Sequence, residues 1–280
     1  MQKQLLSASA LLLATGMAVP TFAQFTLSLG AQSNQLEISS HNQLFFSNFQ
    51  PHNEQNIAQN NLNLNNSNNS QETNVGGELA AGYQFNYDAT YNVAIEIFGQ
   101  LSNTRVETPV APNGIDVLTT LYSVPLADAT ASFEWLAGIR MRPGYYVTPA
   151  VRLFIDGGIV WGDFELEQSD ALHHFVNATL ATNFDQSQTE TLVGWRYGAG
   201  VEYQFNEMMA LGLDYIITEF DEFSSDFVED AAAAGAIIYG SPINAHADYT
   251  PTMHTLGLNF KLLFGGTQKQ TSSPDVMMDK

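Results

Sequence analysis

Apolar and polar residues alternate with a period of two in eight segments of the chain. In the clearest segment, Leu192 to Phe205, every second residue from Val193 onward is apolar or aromatic, and the residues between are Gly, Arg, Glu or Gln. Successive side chains of a strand point to opposite faces, so this pattern predicts strands with one apolar and one polar face. The eight predicted strands are 25–32, 75–85, 91–101, 133–141, 151–162, 192–205, 209–218 and 255–264.

The connections between these strands alternate in length. Short turns are predicted near 86–90, 142–150 and 206–208, and long loops near 33–74, 102–132, 163–191 and 219–254. Strands of about nine to eleven residues can cross a bilayer when tilted, and membrane barrels join them by short turns on one side and long loops on the other. A soluble β-sandwich would show the same alternation, but this rhythm of connections argues against it. We predict an all-β fold, a transmembrane antiparallel up-and-down β-barrel of eight strands with four long external loops and three short periplasmic turns.

The N-terminus has the order of a secretory signal peptide. Lys3 precedes an apolar run from Leu5 to Val19, which is followed by Pro20 and Ala23. We predict cleavage after Ala23, and therefore a signal peptide at 1–23, a barrel at 24–264 and a short disordered periplasmic tail at 265–280. The sequence contains no Cys, which excludes disulfides and a lipid anchor on cysteine.

The formal net charge is −20, with only nine Lys and Arg, so nucleic acid is excluded as a partner. Most of these cations fall on the polar faces of the predicted strands. An eight-stranded barrel is only wide enough inside for side chains, and an unpaired buried charge costs several kcal/mol. We therefore predict a largely closed lumen filled by ion pairs. Its predicted members are Glu78, Glu96, Glu134, Arg140, Arg142, Arg152, Asp156, Arg196, Glu202, Asp214 and Lys261.

The last predicted strand reads LGLNFKLLF. One face of this strand carries Leu256, Leu258, Phe260, Leu262 and Phe264. Together with hairpin segments such as WLAGIRMRPGYYVTPAVRLFIDGGIVWGDF, it resembles the small outer-membrane barrel superfamily that includes the OmpA membrane domain, OmpX and the opacity-type surface proteins. The resemblance implies that this strand is the signal read by the barrel-assembly machinery. It also implies a monomer in the outer membrane, among its lipids and lipopolysaccharide, that serves envelope integrity or adhesion to a host or surface ligand.

The last long loop interleaves acids with phenylalanines. The residues concerned are Glu219, Phe220, Asp221, Glu222, Phe223, Asp226 and Phe227. Two placements remain open for the rings, either an exposed contact surface for a partner or packing over the barrel mouth. Carboxylates at this density could hold calcium or magnesium, but no EF-hand spacing is present and a hydrated acidic loop is favoured, so no cofactor is expected. The Asn-rich run QNNLNLNNSNNSQETN in the first loop is expected not to order by itself.

Catalytic motifs are missing from the sequence. No HExxH, GxSxG or P-loop spacing occurs, and His254 near the outer end of the last strand is read as a polar strand cap. We therefore expect no enzyme. The alternatives are a narrow ion-conducting pore and a lipid-active outer-membrane enzyme.

Overall fold

The computed structural model describes residues 22–49, 60–109, 128–169, 186–229 and 243–265. Most of the predicted signal peptide, at 1–21, and the tail beyond residue 265 lie outside the described residues. The strands are β1 (Phe22–Phe49), β2 (Asn60–Asn86), β3 (Tyr91–Pro109), β4 (Asp128–Thr148), β5 (Val151–Ser169), β6 (Gln186–Asn206), β7 (Met209–Phe220), β8 (Phe223–Glu229) and β9 (Ile243–Phe264). Within the described ranges, no helix is long and apolar enough to cross a membrane.

The strands form a closed antiparallel barrel. Each strand from β1 to β6 pairs with the next, β7 pairs with β9, and β9 returns to β1 with Phe264 opposite Phe25. The short β8 pairs with the same strand as β7, namely β9, and follows β7 after a break at Asp221 and Glu222. The nine strands therefore occupy eight positions around the barrel. The predicted up-and-down barrel of eight strands is confirmed. The second short turn is at 149–150, later than the sequence pattern suggested, because β4 continues through Pro143.

An apolar belt surrounds the lower half of the barrel, the half that carries the short turns. Leu29, Ile97 and Ile155 are among its residues, each with more than half of its surface exposed. Aromatic rings border the belt near the short turns, where Phe25 packs edge-on against Tyr83 with 5.6 Å between ring centroids. Such a surface is stable only against lipid, with aromatic side chains at the interface.

The strands continue far above this belt, which corrects the prediction of four long loops. β1 contains 28 residues, a length of roughly 90 Å, whereas the apolar band of a membrane barrel is about 25 Å tall. Much of the predicted loop sequence is therefore strand. From Asn60 onward, the Asn-rich run that was expected not to order by itself lies in β2, where Asn65–Asn74 pair with β1 from Asn34 to Gln43.

The apolar pattern changes phase where the strands leave the belt. In the lower part of β1, Leu29 points outward and Ser28 points inward, whereas higher up Leu36 and Ile38 point inward and are fully buried. β5 behaves in the same way, since Leu153 is exposed and Leu166 is buried. The barrel thus has lipid outside and polar groups inside in its lower half, and water outside and an apolar interior in its upper half.

The upper half consists of two facing sheets. β2 and β3 pair only from Gly77 and Leu101 down to the turn, and β6 pairs with β7 only up to Gly194 and Phe220. Above these points the described pairings leave a first upper sheet in the order β2-β1-β9-β8 and a second upper sheet in the order β3-β4-β5-β6. One apolar cluster joins them, with Leu36 and Tyr249 from the first sheet and Phe164 and Leu166 from the second.

Candidate functional site

The lower lumen holds equal numbers of buried acids and bases. The five buried acids are Glu78, Glu96, Asp156, Glu202 and Asp214. The five buried bases are Arg140, Arg142, Arg152, Arg196 and Lys261. All ten are at most 4% exposed, so charge balance inside the barrel is a requirement for folding, since a buried charge without a partner costs several kcal/mol.

These ten side chains form one continuous chain of alternating charge, which we call the lumen charge chain. It begins near the short turns, where Arg152 contacts Glu202 at 3.3 Å and Glu202 contacts Lys261 at 2.9 Å. Lys261 then reaches Glu96 at 3.5 Å, and Arg140 contacts the same carboxylate at 2.8 Å. Strands from all sides of the barrel are thereby connected.

The chain continues from Arg140 across the barrel axis. Arg140 contacts Glu78 at 2.6 Å, and the other oxygen of Glu78 lies 3.3 Å from Arg196 on the opposite wall. Arg196 contacts Asp156 at 3.0 Å. Asp156 also accepts from Arg142 at 2.6 Å, and Arg142 ends the chain on Asp214 at 2.9 Å.

Two inward phenylalanines support the guanidinium groups. The Phe98 ring centroid lies 4.3 Å from the Arg196 guanidinium carbon and 5.3 Å from that of Arg140. Phe154 lies 4.8 Å from Arg142 and 5.2 Å from Arg152. The rings attract cations through their π faces and exclude water, which strengthens the ion pairs around them.

Glycines on the inner face leave space for these large side chains. A methyl group at Gly138 would lie 2.7 Å from the Phe98 ring, and one at Gly144 would lie 2.8 Å from the Arg152 guanidinium carbon. Both distances are far below van der Waals contact. At these two positions glycine follows from the size of the neighbouring Phe and Arg side chains.

Neutral polar groups surround the upper end of the lumen charge chain. Gln32 donates to Glu78 at 2.9 Å, and Asn259 donates to Asp214 at 2.8 Å. Asn34 accepts hydrogen bonds from Gln100 at 3.2 Å and from Thr255 at 2.9 Å. Gln32 and Asn259 therefore link carboxylates of the lumen charge chain to the barrel wall, and Asn34 joins Gln100 to Thr255.

An apolar plug closes the lumen above this layer. Phe133 stacks on Phe220 with 4.5 Å between ring centroids, although β4 and β7 are not neighbours in the barrel. Phe164 contacts Phe133 at 5.3 Å and Phe223 at 5.0 Å. The four rings belong to the apolar cluster between the upper sheets and bring residues of β4, β5, β7 and β8 into contact across the interior.

Ten of the eleven residues predicted for the lumen lie there, and Glu134 does not. The register of β4 shifts between Phe133 and Leu136, against both β3 and β5. The shift turns Glu134 to the exposed outer face and turns Phe133 inward into the plug. A β-bulge re-aims side chains in this way, and no period-two pattern can anticipate it. The lumen therefore has five acids for its five bases.

The predicted contact surface of the last loop divides into an outer and an inner part. Glu219, Asp221, Glu222 and Asp226 are exposed, while Phe220 and Phe223 are 5% and 1% exposed and belong to the plug. An exposed placement of these two rings is therefore wrong, and the packing alternative agrees with the structure. Phe227 lies in β8, and its side chain falls outside the described residues.

The water-exposed surface above the belt, including the edges of the two upper sheets, is strongly acidic. Its exposed or half-exposed carboxylates in the described ranges are Glu37, Glu72, Glu107, Glu134, Asp163, Glu165, Glu167, Glu190, Glu219, Asp221, Glu222, Asp226 and Asp248. We call this surface the acidic wall. Among the described side chains of the upper half, Arg105 is the exposed Lys or Arg, and it pairs with Glu167. Within the same ranges, no group of three His, Cys, Asp or Glu could hold a metal ion.

Two histidines lie on the outward face of β9. His246 contacts Asp226 of β8 at 2.6 Å and Asp248 at 3.2 Å. The hydrogen bond to Asp226, with support from Asp248, raises the pKa of His246. His254 does not cap a strand, since it lies within β9 and hydrogen-bonds the Tyr215 hydroxyl at 2.9 Å.

The predicted assembly residues occupy one face at the end of β9. Leu256, Leu258, Phe260 and Phe264 are exposed to the lipid side, and Leu262 is half-exposed on the same face. This face contacts β1 at the closure of the barrel, where the Phe264 and Phe25 rings lie 6.0 Å apart.

Sequence reasoning missed two rings of the plug, Phe133 and Phe164, and the two rings beneath the guanidinium groups. Phe98 was visible as an apolar residue on the polar face of its strand, which was a usable signal. Phe133 and Phe164 gave no comparable signal, because each lies beyond a change in the phase of alternation.

Comparison with known proteins agrees with this architecture. Residues 9–261 match the family of the outer membrane protein beta-barrel domain. The 31 kDa outer-membrane immunogenic protein of Brucella melitensis is 27% identical over 150 residues, 52% of this chain and 53% of that protein. The chain therefore spans about half the length of the curated relatives that it matches.

Two solved structures are among those similar to the chain. The attachment invasion locus protein Ail of Yersinia pestis gives a TM-score of 0.32 at 11% identity, covering 83% of this chain and 98% of Ail. The outer membrane protease OmpT of Escherichia coli gives 0.40 at 10% identity, covering 90% of this chain and 99% of OmpT.

Proposed function

We propose that this chain, which belongs to the outer membrane protein beta-barrel family, is a closed barrel that holds the acidic wall above the outer membrane for contact with other surfaces. The observation that carries the proposal is the filled interior, with the lumen charge chain below and the apolar plug above. A barrel built for passage would keep a water-filled lumen. The interior of this one supports a rigid external structure instead.

The external half is large and ordered, which favours surface contact over a purely structural role in the envelope. β1 and β2 contain 28 and 27 residues, more than twice the roughly ten that a bilayer requires. Its two sheets share an apolar core, so the acidic wall has a fixed shape. A protein that only stabilised the membrane would need little of this extension.

Adhesion by expressing cells tests the proposal. Cells producing the wild-type protein are compared with cells producing a triple variant, Glu165→Gln, Glu190→Gln and Glu222→Gln, which neutralises three exposed or half-exposed acids of the wall. The matched control is Glu207→Gln, an exposed acid at a periplasmic turn on the other side of the membrane.

We expect the triple variant to lose adhesion to a surface that wild-type cells bind, while the control retains it and the sensitivity of all strains to detergent stays equal. Unchanged adhesion together with increased detergent sensitivity would assign the protein to envelope integrity instead.

A further inference from the structure

The division of the upper half of the barrel into two sheets leaves strand edges along two gaps between the sheets, which we call the seams. At one seam β2 and β3 part above Gly77 and Leu101. Over the described residues of this region, β2 pairs with β1 alone and β3 pairs with β4 alone. At the other seam, β6 and β8 are likewise edge strands.

We propose that the edge of β2 from Ser67 to Gly76 binds an extended, basic segment of a partner protein, which adds to the first upper sheet as a further strand. The inference rests on the proposed function and names the class of partner. In an antiparallel pair, alternate residues direct their N–H and C=O groups away from the neighbouring strand. About half of the residues in this segment therefore present backbone donors and acceptors along the seam, which is the chemistry that strand addition uses.

The β2 edge is held in a fixed shape by side-chain pairs on the outer face of the β1–β2 hairpin. Gln35 donates to Gln71 at 2.8 Å, and Asn69 donates to Glu37 at 2.8 Å. Higher up, His41 contacts Ser67 at 3.0 Å. A strand braced in this way loses little conformational freedom when it pairs with a peptide, which favours binding.

The other three edges are less suited to accept a strand. β3 ends at Pro109, which has no N–H group, and its Arg105 is held by Glu167. The second seam is bridged by side chains, since Ser225 of β8 donates to Gln188 of β6 at 2.8 Å. The segment Ser67–Gly76 contains no Pro, and its one charged residue is Glu72.

Glu72 indicates the charge of the partner. Its position in the alternation of β2 is the lumen-facing one, as for the buried Glu78, but Glu72 is exposed because the seam opens beside it. A cation on an added strand would meet this carboxylate. A second copy of the chain is disfavoured as the occupant, because two proteins of net charge −20 would bring their acidic walls together.

A fluorescent synthetic peptide of alternating lysine and threonine, about ten residues long, tests the proposal on the full chain in lipid nanodiscs. The matched probe is the same peptide with every backbone amide N-methylated, which keeps every charge but leaves no backbone N–H on either edge to pair as a strand. Affinities are measured by fluorescence anisotropy at physiological ionic strength for the wild type, for Glu72→Gln and for the control Glu190→Gln, an exposed acid at the other seam.

We expect the unmethylated peptide to bind the wild type at least about tenfold more tightly, because several backbone hydrogen bonds are lost on methylation. Glu72→Gln should weaken that binding by several-fold and Glu190→Gln should not. Equal affinities for the two peptides would overturn the proposal and leave only charge attraction. A doubled mass in solution without peptide, abolished by the peptide, would also overturn it by assigning the edge to a second copy. Loss of adhesion in the acidic-wall triple variant with equal peptide affinities would refute this inference alone, so the two failures are distinguishable.

Discussion

Glu78 on β2 and Arg196 on β6 form an ion pair of 3.3 Å across the barrel, between strands on opposite walls and 118 residues apart in the sequence. This contact crosses the axis of the lumen, and Glu78 also holds Arg140. The ion pairs therefore connect opposite walls through the centre of the barrel, and they also neutralise buried charge.

Removing this carboxylate should destabilise the barrel strongly. Glu78→Gln leaves Arg140 and Arg196 with one fewer partner each in a buried site, and breaking a buried pair costs about 3–5 kcal/mol. Urea unfolding in lipid vesicles measures the effect. Glu134→Gln, an exposed acid predicted to belong to the same set, should change stability by less than about 0.5 kcal/mol. Equal effects of the two substitutions would mean that the lumen charge chain is not the stabilising element.

A separate prediction concerns the apolar plug in the upper half. Phe133→Ala removes a ring that stacks on Phe220 and contacts Phe164, and such a change in a packed core costs about 3–5 kcal/mol. Thermal unfolding followed by near-ultraviolet circular dichroism should show the loss. Val75→Ala, on a side chain that is 81% exposed, serves as the control and should leave the transition unchanged. If Phe133→Ala left the thermal transition as unchanged as Val75→Ala does, the plug would not be a packed core.

The contact between β8 and β9 should depend on pH through His246. Its folded pKa is raised by Asp226, so the stabilisation is complete below the unfolded value of about 6.5 and is lost as the pH rises through the higher folded value. Titration of the His246 imidazole by NMR measures the folded pKa, and Asp226→Asn should lower it. A pKa that is the same in both proteins would show that the Asp226 contact is not formed in solution.

Barrel assembly should depend on the last residue of β9. Phe264→Ala removes the terminal aromatic group, and we expect less heat-modifiable protein in the outer membrane and more unfolded precursor. Phe205→Ala removes an exposed aromatic side chain from the end of β6, near the same interface, and should assemble normally. Similar losses in both variants would indicate a general interfacial effect and no special role for the β9 terminus.

The sequence was sufficient for the lower half of the barrel because one rule holds there throughout. Apolar residues alternate outward against lipid, so strands such as β6 and the inward cations Arg140 and Arg196 could be assigned from the period alone. The scarcity of Lys and Arg helped further, since the few cations had to accompany the buried acids.

The upper half could not be predicted because the medium outside the barrel changes from lipid to water. In β1 the apolar positions move from Leu29 to Leu36, from the outer to the inner face, with polar residues between. If the apolar–polar alternation is assumed to keep one phase along a strand, that change looks like the end of the strand. The bulge at Glu134 and the strand break at Asp221 depend on pairing between distant segments, which local alternation does not encode.

Planar-bilayer recording with the purified, refolded protein tests the closed lumen most directly. With the lumen charge chain and the plug in place, we predict no conductance steps above those of a protein-free bilayer, across the voltages at which a general porin conducts. Stable porin-like steps from the wild-type protein would contradict the filled interior and, with it, the role proposed for the barrel.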